Sequence, residues 1–167
     1  ARLEWVFQLE VKTPFILSTG VIFDFQDILK LEIVSSSGYK LRGTFAGDGV
    51  VTSSISLVAG TSYEVFVGRD ADSYQIRVYN AALTVDTTTP NTATLADPAL
   101  FNYDKILGFV IGDTADQEAS SPFGGAIRRL AFHNESALKW HPSQDAVFYY
   151  DIKSLFGDQI IDRGNRA

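Results

Sequence analysis

The side chains able to do chemistry here are carboxylates, two histidines, arginines and exposed aromatic rings, because the chain has no cysteine. That absence removes thiolate zinc sites, cysteine nucleophiles and disulfides together. The glutamates are Glu4, Glu10, Glu32, Glu64, Glu118 and Glu135. A glycoside hydrolase would need two carboxyls facing one another, about 5 Å apart if it retains configuration and wider if it inverts. On one strand that requires acids spaced i, i+2 or i, i+4. No such E-x-D-x-x-E pattern stands on a strand in this sequence, although two acids can still meet across neighbouring strands. The histidines, His133 and His141, lack the paired spacing of a metal site. No G-x-S-x-G elbow and no phosphate-cradling glycine loop is present. No catalytic residue is therefore assigned, and the chain is read as a non-enzyme.

Two other chemistries are better supplied. Calcium takes several oxygens from carboxylates and loop carbonyls. Asp48, Asp70 and Asp72 sit in turns, and the run Gly112-Asp113-Thr114-Ala115-Asp116-Gln117-Glu118 offers the densest set. Asp113, Asp116 and Glu118 are the expected ligands for calcium as the one candidate cofactor. Aspartate also favours turns for its own backbone bonding, which accounts for such clusters without a metal. Sugar recognition uses an aromatic face with polar groups around it. Tyr39, Tyr74, Tyr79, Tyr103 and Trp140 are the candidate aromatics, and Arg69 joins Tyr74, Tyr79, Tyr103 and Trp140 in the expected ligand-binding set. Asn134-Glu135-Ser136 matches a glycosylation acceptor, which matters only in a eukaryotic secretory setting.

The elements that would position these groups are strands. Trp5, Phe7, Leu9 and Val11 fall on one face by period-2 alternation. Leu29, Leu31 and Ile33 do the same, as do the runs Tyr39 to Phe45, Tyr63 to Val67, Tyr74 to Tyr79, Ile106 to Ile111, Ala126 to Phe132 and Val147 to Tyr150. Period-2 alternation in Val, Ile, Tyr and Phe predicts half-buried strands. Ser37-Gly38, Gly47-Asp48-Gly49, Ala59-Gly60-Thr61, Arg69 to Ser73 and Phe123-Gly124-Gly125 supply the turns between them. Short strands at regular spacing predict an all-β, antiparallel two-sheet sandwich with little helix. Thr84 to Asn102 reads as a long surface loop, with a helical turn around Pro98 to Phe101. Asp151 to Phe156 reads as another helical turn.

The chain has 167 residues, 46% of them apolar, 13% aromatic and 20% charged. That suffices for one domain with a real core. Its net charge of −6 argues against nucleic acid, which needs clustered cations. Arg128-Arg129 is the main basic pair, and alternation is expected to send its members to opposite faces. No apolar run is long enough to cross a membrane as a helix. The absence of Met, even at the start, suggests a processed product or a piece of something longer.

Ser56 to Val67 carries an "l-x-a-G-x-W/Y"-like entry to a strand, and Arg69 to Asn80 reads as its partner strand. Val110-Ile111-Gly112-Asp113 and Pro122-Phe123-Gly124-Gly125-Ala126-Ile127-Arg128-Arg129-Leu130, running on to Leu138, read as a closing hairpin. In this order these elements resemble the laminin-G-like and concanavalin-A-like superfamily. In that motif Phe123 is expected to close the sandwich edge, and Gly124 and Gly125 to permit a bulge or positive φ. The resemblance implies a jelly-roll fold, a rim calcium and a glycan partner. It covers Trp5 to Leu138, and the order is permuted. The family's opening pattern is found at the C-terminus instead, as Phe148-Tyr149-Tyr150-Asp151 and Ile160-Ile161-Asp162-Arg163-Gly164-Asn165.

Residues 1–138 are thus expected to form the sandwich and 139–167 an extension. The extension either packs on the same sandwich as its missing strand, swaps to a neighbour, or opens the next repeat of an array. The expected function is a non-catalytic recognition or adhesion module on an extracellular, cell-surface or virion protein such as a phage tail or fibre. Its partners would be a glycan or a cell-surface receptor, with sibling domains or subunits also in view. An assembly domain without a small ligand is the first alternative, and a glycoside hydrolase or polysaccharide lyase the second.

Overall fold

The structure, a computed structural model, describes residues 5–25, 28–45, 49–70, 73–80, 91–94, 109–112, 123–133 and 148–151. Among these the chain is all β. The strands are β1 (Trp5–Lys12), β2 (Gly20–Phe25), β3 (Leu29–Ser35), β4 (Tyr39–Phe45), β5 (Gly49–Thr52) and β6 (Ser62–Asp70). They continue as β7 (Ser73–Asn80), β8 (Asn91–Thr94), β9 (Phe109–Ile111), β10 (Ala126–His133) and β11 (Phe148–Asp151). Every pairing is antiparallel. One sheet is six-stranded, in the order β11-β10-β1-β6-β7-β8, and the other five-stranded, in the order β5-β4-β3-β2-β9. The two form a sandwich, as the alternation predicts.

The core is the sum of the inward faces. Trp5, Phe7, Leu9 and Val11 of β1 meet Val65, Val67, Ile76, Val78, Leu130 and Phe132 within their own sheet, and Phe23, Phe25, Leu29, Leu31, Ile33, Leu41 and Phe45 from the other. Phe7 is central, with its ring 4.9 Å from Phe23, 5.2 Å from Phe25 and 4.8 Å from Phe132. Offset and edge-on ring pairs of this kind add to the gain from burial alone.

Three features depart from simple alternation. β1 and β10 shift register between Glu10 and Val11, where Glu10 pairs with Arg129 but Val11 pairs with Ile127. Arg128 is the extra residue of a β-bulge. Gly125, just upstream, is needed for close approach and not for a positive φ, since a Cβ there would strike the Phe123 ring and the Lys12 carbonyl. β8 falls inside the stretch read as a loop. The sequence Asn91-Thr92-Ala93-Thr94 carries no large apolar side chain, yet its backbone pairs with β7 through Ser73 to Ile76. An edge strand bonded on one side can form without an apolar face, so it leaves little pattern to read. Finally, β11, from the segment expected as an extension, adds to the edge of the six-stranded sheet by pairing with β10 of the same chain. The helical turns expected around Pro98 to Phe101 and over Asp151 to Phe156 lie outside the described residues, save Asp151, which ends β11.

Candidate functional site: the outer face of the six-stranded sheet

The two outward faces of the sandwich differ. On the five-stranded sheet, Glu32 takes Arg42 at 2.9 Å and Lys30 at 3.5 Å, with both cations more than a third exposed. That is an ordinary solvated strand face. On the six-stranded sheet, by contrast, the centre of the outward face is as dry as the core, with half-buried charged and polar residues around it. Val6, Gln8, Phe66, Ala131 and His133 are all buried. Burying polar groups such as Gln8 and His133 is costly unless their bonds are made.

Strand register arranges this face in rows. Arg129, Glu10, Glu64 and Tyr79 lie side by side across β10, β1, β6 and β7. The next row is Ala131, Gln8, Phe66 and Arg77, and the third is His133, Val6, Gly68 and Gln75. Arg129 Nε donates to Glu10 Oε2 at 2.7 Å, and Arg128 lies 3.4 Å from the other oxygen of the same carboxylate. Arg129 also reaches within 3.9 Å of Glu64. The side-chain amide of Gln8 donates to Glu64 Oε1, and its carbonyl oxygen lies 3.4 Å from His133 Nε2. Beside this network the Phe66 and Tyr79 rings meet edge to face at 5.4 Å. Arg77 donates to Gln75 Oε1 at 3.1 Å.

The bulge explains the two arginines. Regular alternation would send Arg128 and Arg129 to opposite faces, as expected from the sequence. The extra residue lets both reach Glu10, so they act together after all. The acid pair Glu10 and Glu64 was hidden for a related reason. Each acid sits between inward apolar residues of its own strand, which marks its face. Only register shows that the two stand opposite one another, where side chains on paired strands are about 5 Å apart at Cβ. Gln8, Arg77 and His133 were missed on the same grounds.

Of the expected ligand residues, Tyr79 alone among those described joins this face. Tyr74 lies in the core, its ring stacked on Phe45 at 3.9 Å and 13°. Arg69, expected at the surface, is buried between Trp5 and Tyr74 in the strand register. Position 69 and position 74 face inward with Val67 and Ile76, which is why neither is offered to a ligand from solvent. Tyr39 is half-buried against the core. Tyr103 and Trp140 lie outside the described residues, as do Asp113, Asp116 and Glu118. Gly112 (φ +84°) donates to Ile22 O at 2.8 Å and accepts from Phe123 N at 3.0 Å, so both flanks of the 113–122 segment are tied to the sheet edge. Among the described residues no cluster of three or more His, Asp or Glu side chains is placed to hold a metal. Among the described residues no helix is long and apolar enough to cross a membrane.

No family model matches the sequence. No curated protein matches it either. Two solved structures are similar in three dimensions. One is a candidate carbohydrate binding protein of Bacteroides ovatus, 15% identical over 96% of this chain and 49% of that one, with a TM-score of 0.67. The other is a heptameric SAP-like pentraxin of Limulus polyphemus, 17% identical over 81% of this chain and 65% of that one, with a TM-score of 0.44. The first likeness establishes the fold class: an antiparallel two-sheet sandwich of the jelly-roll kind. This chain spans about half the length of that protein.

Proposed function

We propose that this chain is a non-catalytic glycan-recognition module that takes its saccharide on the outer face of the six-stranded sheet. The observation that carries the reading is the row Arg129-Glu10-Glu64-Tyr79 with Gln8 beneath it. Sugar hydroxyls are recognised by fixed planar donors and acceptors next to an aromatic surface, and rigid strands hold such groups better than loops do. The fold shared with a protein described as carbohydrate binding supports the same reading. The resemblance to laminin-G-like and concanavalin-A-like domains supports it too, along with an extracellular, cell-surface or virion setting and a rim calcium held by Asp113, Asp116 and Glu118. Tyr103 and Trp140 remain proposed contacts. So does a partner among sibling domains or subunits, with 139–167 acting as an extension of the sandwich formed by 1–138.

A glycan array, run with calcium and with a chelator, tests this. Binding that falls at least tenfold in Tyr79→Ala and Glu64→Gln is expected. Dependence on calcium that disappears in Asp113→Ala would add the rim site. Binding to no glycan in either condition would sink the module reading and move the weight to an assembly role.

Hydrolysis is a second reading because Glu10 and Glu64 meet across strands. It is the weaker one. Glycoside hydrolysis needs one carboxyl as proton donor and its partner as nucleophile or base, whereas Glu10 is held by two arginines and Glu64 by the Gln8 amide and Arg129. No release of reducing ends from bound polysaccharides is expected. Release that is lost in both Glu10→Gln and Glu64→Gln would reverse the order of the two readings.

A further inference from the structure

Arg77 differs from the other arginines of this face. Arg128 and Arg129 are both paired with Glu10, and Arg129 also approaches Glu64. Among the described residues Arg77 has one side-chain partner, the neutral amide oxygen of Gln75 two residues before it on the same face. Among the described residues no carboxylate lies within ion-pair distance of it. Its cross-strand neighbour is Phe66, whose ring packs against Tyr79. It is half-buried, so its charge is not fully hydrated, and among the described residues it is not paired.

We infer that Arg77, steered by Gln75 and flanked by the Phe66–Tyr79 ring pair, is the anchor for an anionic sugar, one carrying a uronate carboxylate or a sulfate ester. The inference rests on the glycan reading and names the class of glycan. A guanidinium presents a flat fork of donors that pairs two-point with a carboxylate or sulfate, and it does so more strongly when partly desolvated. Gln75 holds one edge of the group, which leaves the remaining donors to a ligand. The adjacent Tyr79 ring provides an apolar contact for the C–H face of the same sugar. Arg128 and Arg129 lie at the other end of the rows and supply only screened attraction.

The test is affinity electrophoresis and calorimetry of the whole chain against polygalacturonate, dextran sulfate and neutral dextran at low and high salt. Arg77→Gln, Arg77→Lys and the control Arg42→Gln, on the opposite outer face, are run alongside, each checked for an unchanged melting temperature. Expected is binding to an anionic polysaccharide at least tenfold tighter than to neutral dextran and weakened by salt. That preference should be lost in Arg77→Gln, only partly kept in Arg77→Lys and intact in Arg42→Gln. The polygalacturonate and dextran sulfate arms tell carboxylate from sulfate. Equal binding of neutral and anionic polymers by wild type and Arg77→Gln would overturn the anchor while leaving the glycan reading standing. Loss in Arg42→Gln as great as in Arg77→Gln would show diffuse charge attraction and overturn it as well. Binding to none of these polymers, with none on the array, would overturn both.

Discussion

Single residues on the six-stranded sheet divide into those that hold it together and those that face a ligand. Arg129 belongs to the first group, since it is placed between two carboxylates whose side chains are only 13% and 14% exposed. Arg128, 40% exposed, holds the other oxygen of the Glu10 carboxylate from further out. Exposed pairs contribute about 0–1 kcal/mol, and breaking a buried pair costs about 3–5 kcal/mol. Arg129→Ala is therefore expected to destabilise by about 1–3 kcal/mol and Arg128→Ala by less than about 1 kcal/mol. Urea titration of both against wild type checks the order. The two tyrosines should separate in the same way. Tyr74→Ala removes a ring stacked in the core and is expected to cost about 3 kcal/mol with unchanged affinity per folded molecule. Tyr79→Ala should do the reverse, with a small loss of stability and a large loss of glycan binding. The sequence named both tyrosines equally, because alternation gives two faces for β7 without saying which is dry. The inward face is decided by the register of β7 on β6, which pairs Ile76 with Val67.

Strands, turns and their order were largely legible from period-2 patterning, because each face of β3, β4 and β7 sees a different solvent, and because Gln8, Glu10 and Glu64 mark the outward face of β1 and β6 although much of it is buried. What stayed hidden was pairing, edge strands and the bulge, all of which depend on backbone bonds between segments far apart in the chain. The bulge leads to a sharp expectation. Ile127 faces inward and Arg129 outward, so Arg128 is one residue more than the ladder requires. Deleting Arg128 should leave every inward side chain in place and change stability by less than about 1 kcal/mol, whereas deleting Ala131 should reverse the facing of one end of the strand and prevent folding. Circular dichroism and thermal melts of the two deletions distinguish these outcomes. Thr13 marks a second junction. Its buried hydroxyl donates to Val58 O at 2.6 Å and accepts from Thr61 N at 3.0 Å, tying the turn after β1 to the turn before β6. Thr13→Val should cost about 1–3 kcal/mol, read by denaturant midpoint, because it leaves those backbone groups without a partner.

At the scale of the whole molecule, the sandwich is asymmetric: both outer faces carry half-exposed ion pairs, but only that of the six-stranded sheet has a dry centre, formed by Val6, Gln8, Phe66, Ala131 and His133. A sequence cannot display that asymmetry, since Glu32 and Glu64 look alike within their strands. The dry face is joined by contacts of great sequence separation. Gln8 meets Glu64 across 56 positions and His133 across 125. β1 lies between β10 and β6 in the sheet and carries side chains buried on both faces. The ribosome makes β1 long before either neighbour exists, and its second neighbour, β10, is among the last strands to emerge. The nascent chain must therefore hold one edge of β1, with Trp5, Phe7 and Leu9, open from the time β6 is made until β10 is made. Refolding should be slow for a domain of this size, in the millisecond-to-second range typical of non-local β pairing. A ribosome-stalled chain ending before Ala126 should remain protease-sensitive throughout, while one extended past Asp151 and clear of the exit tunnel should become resistant.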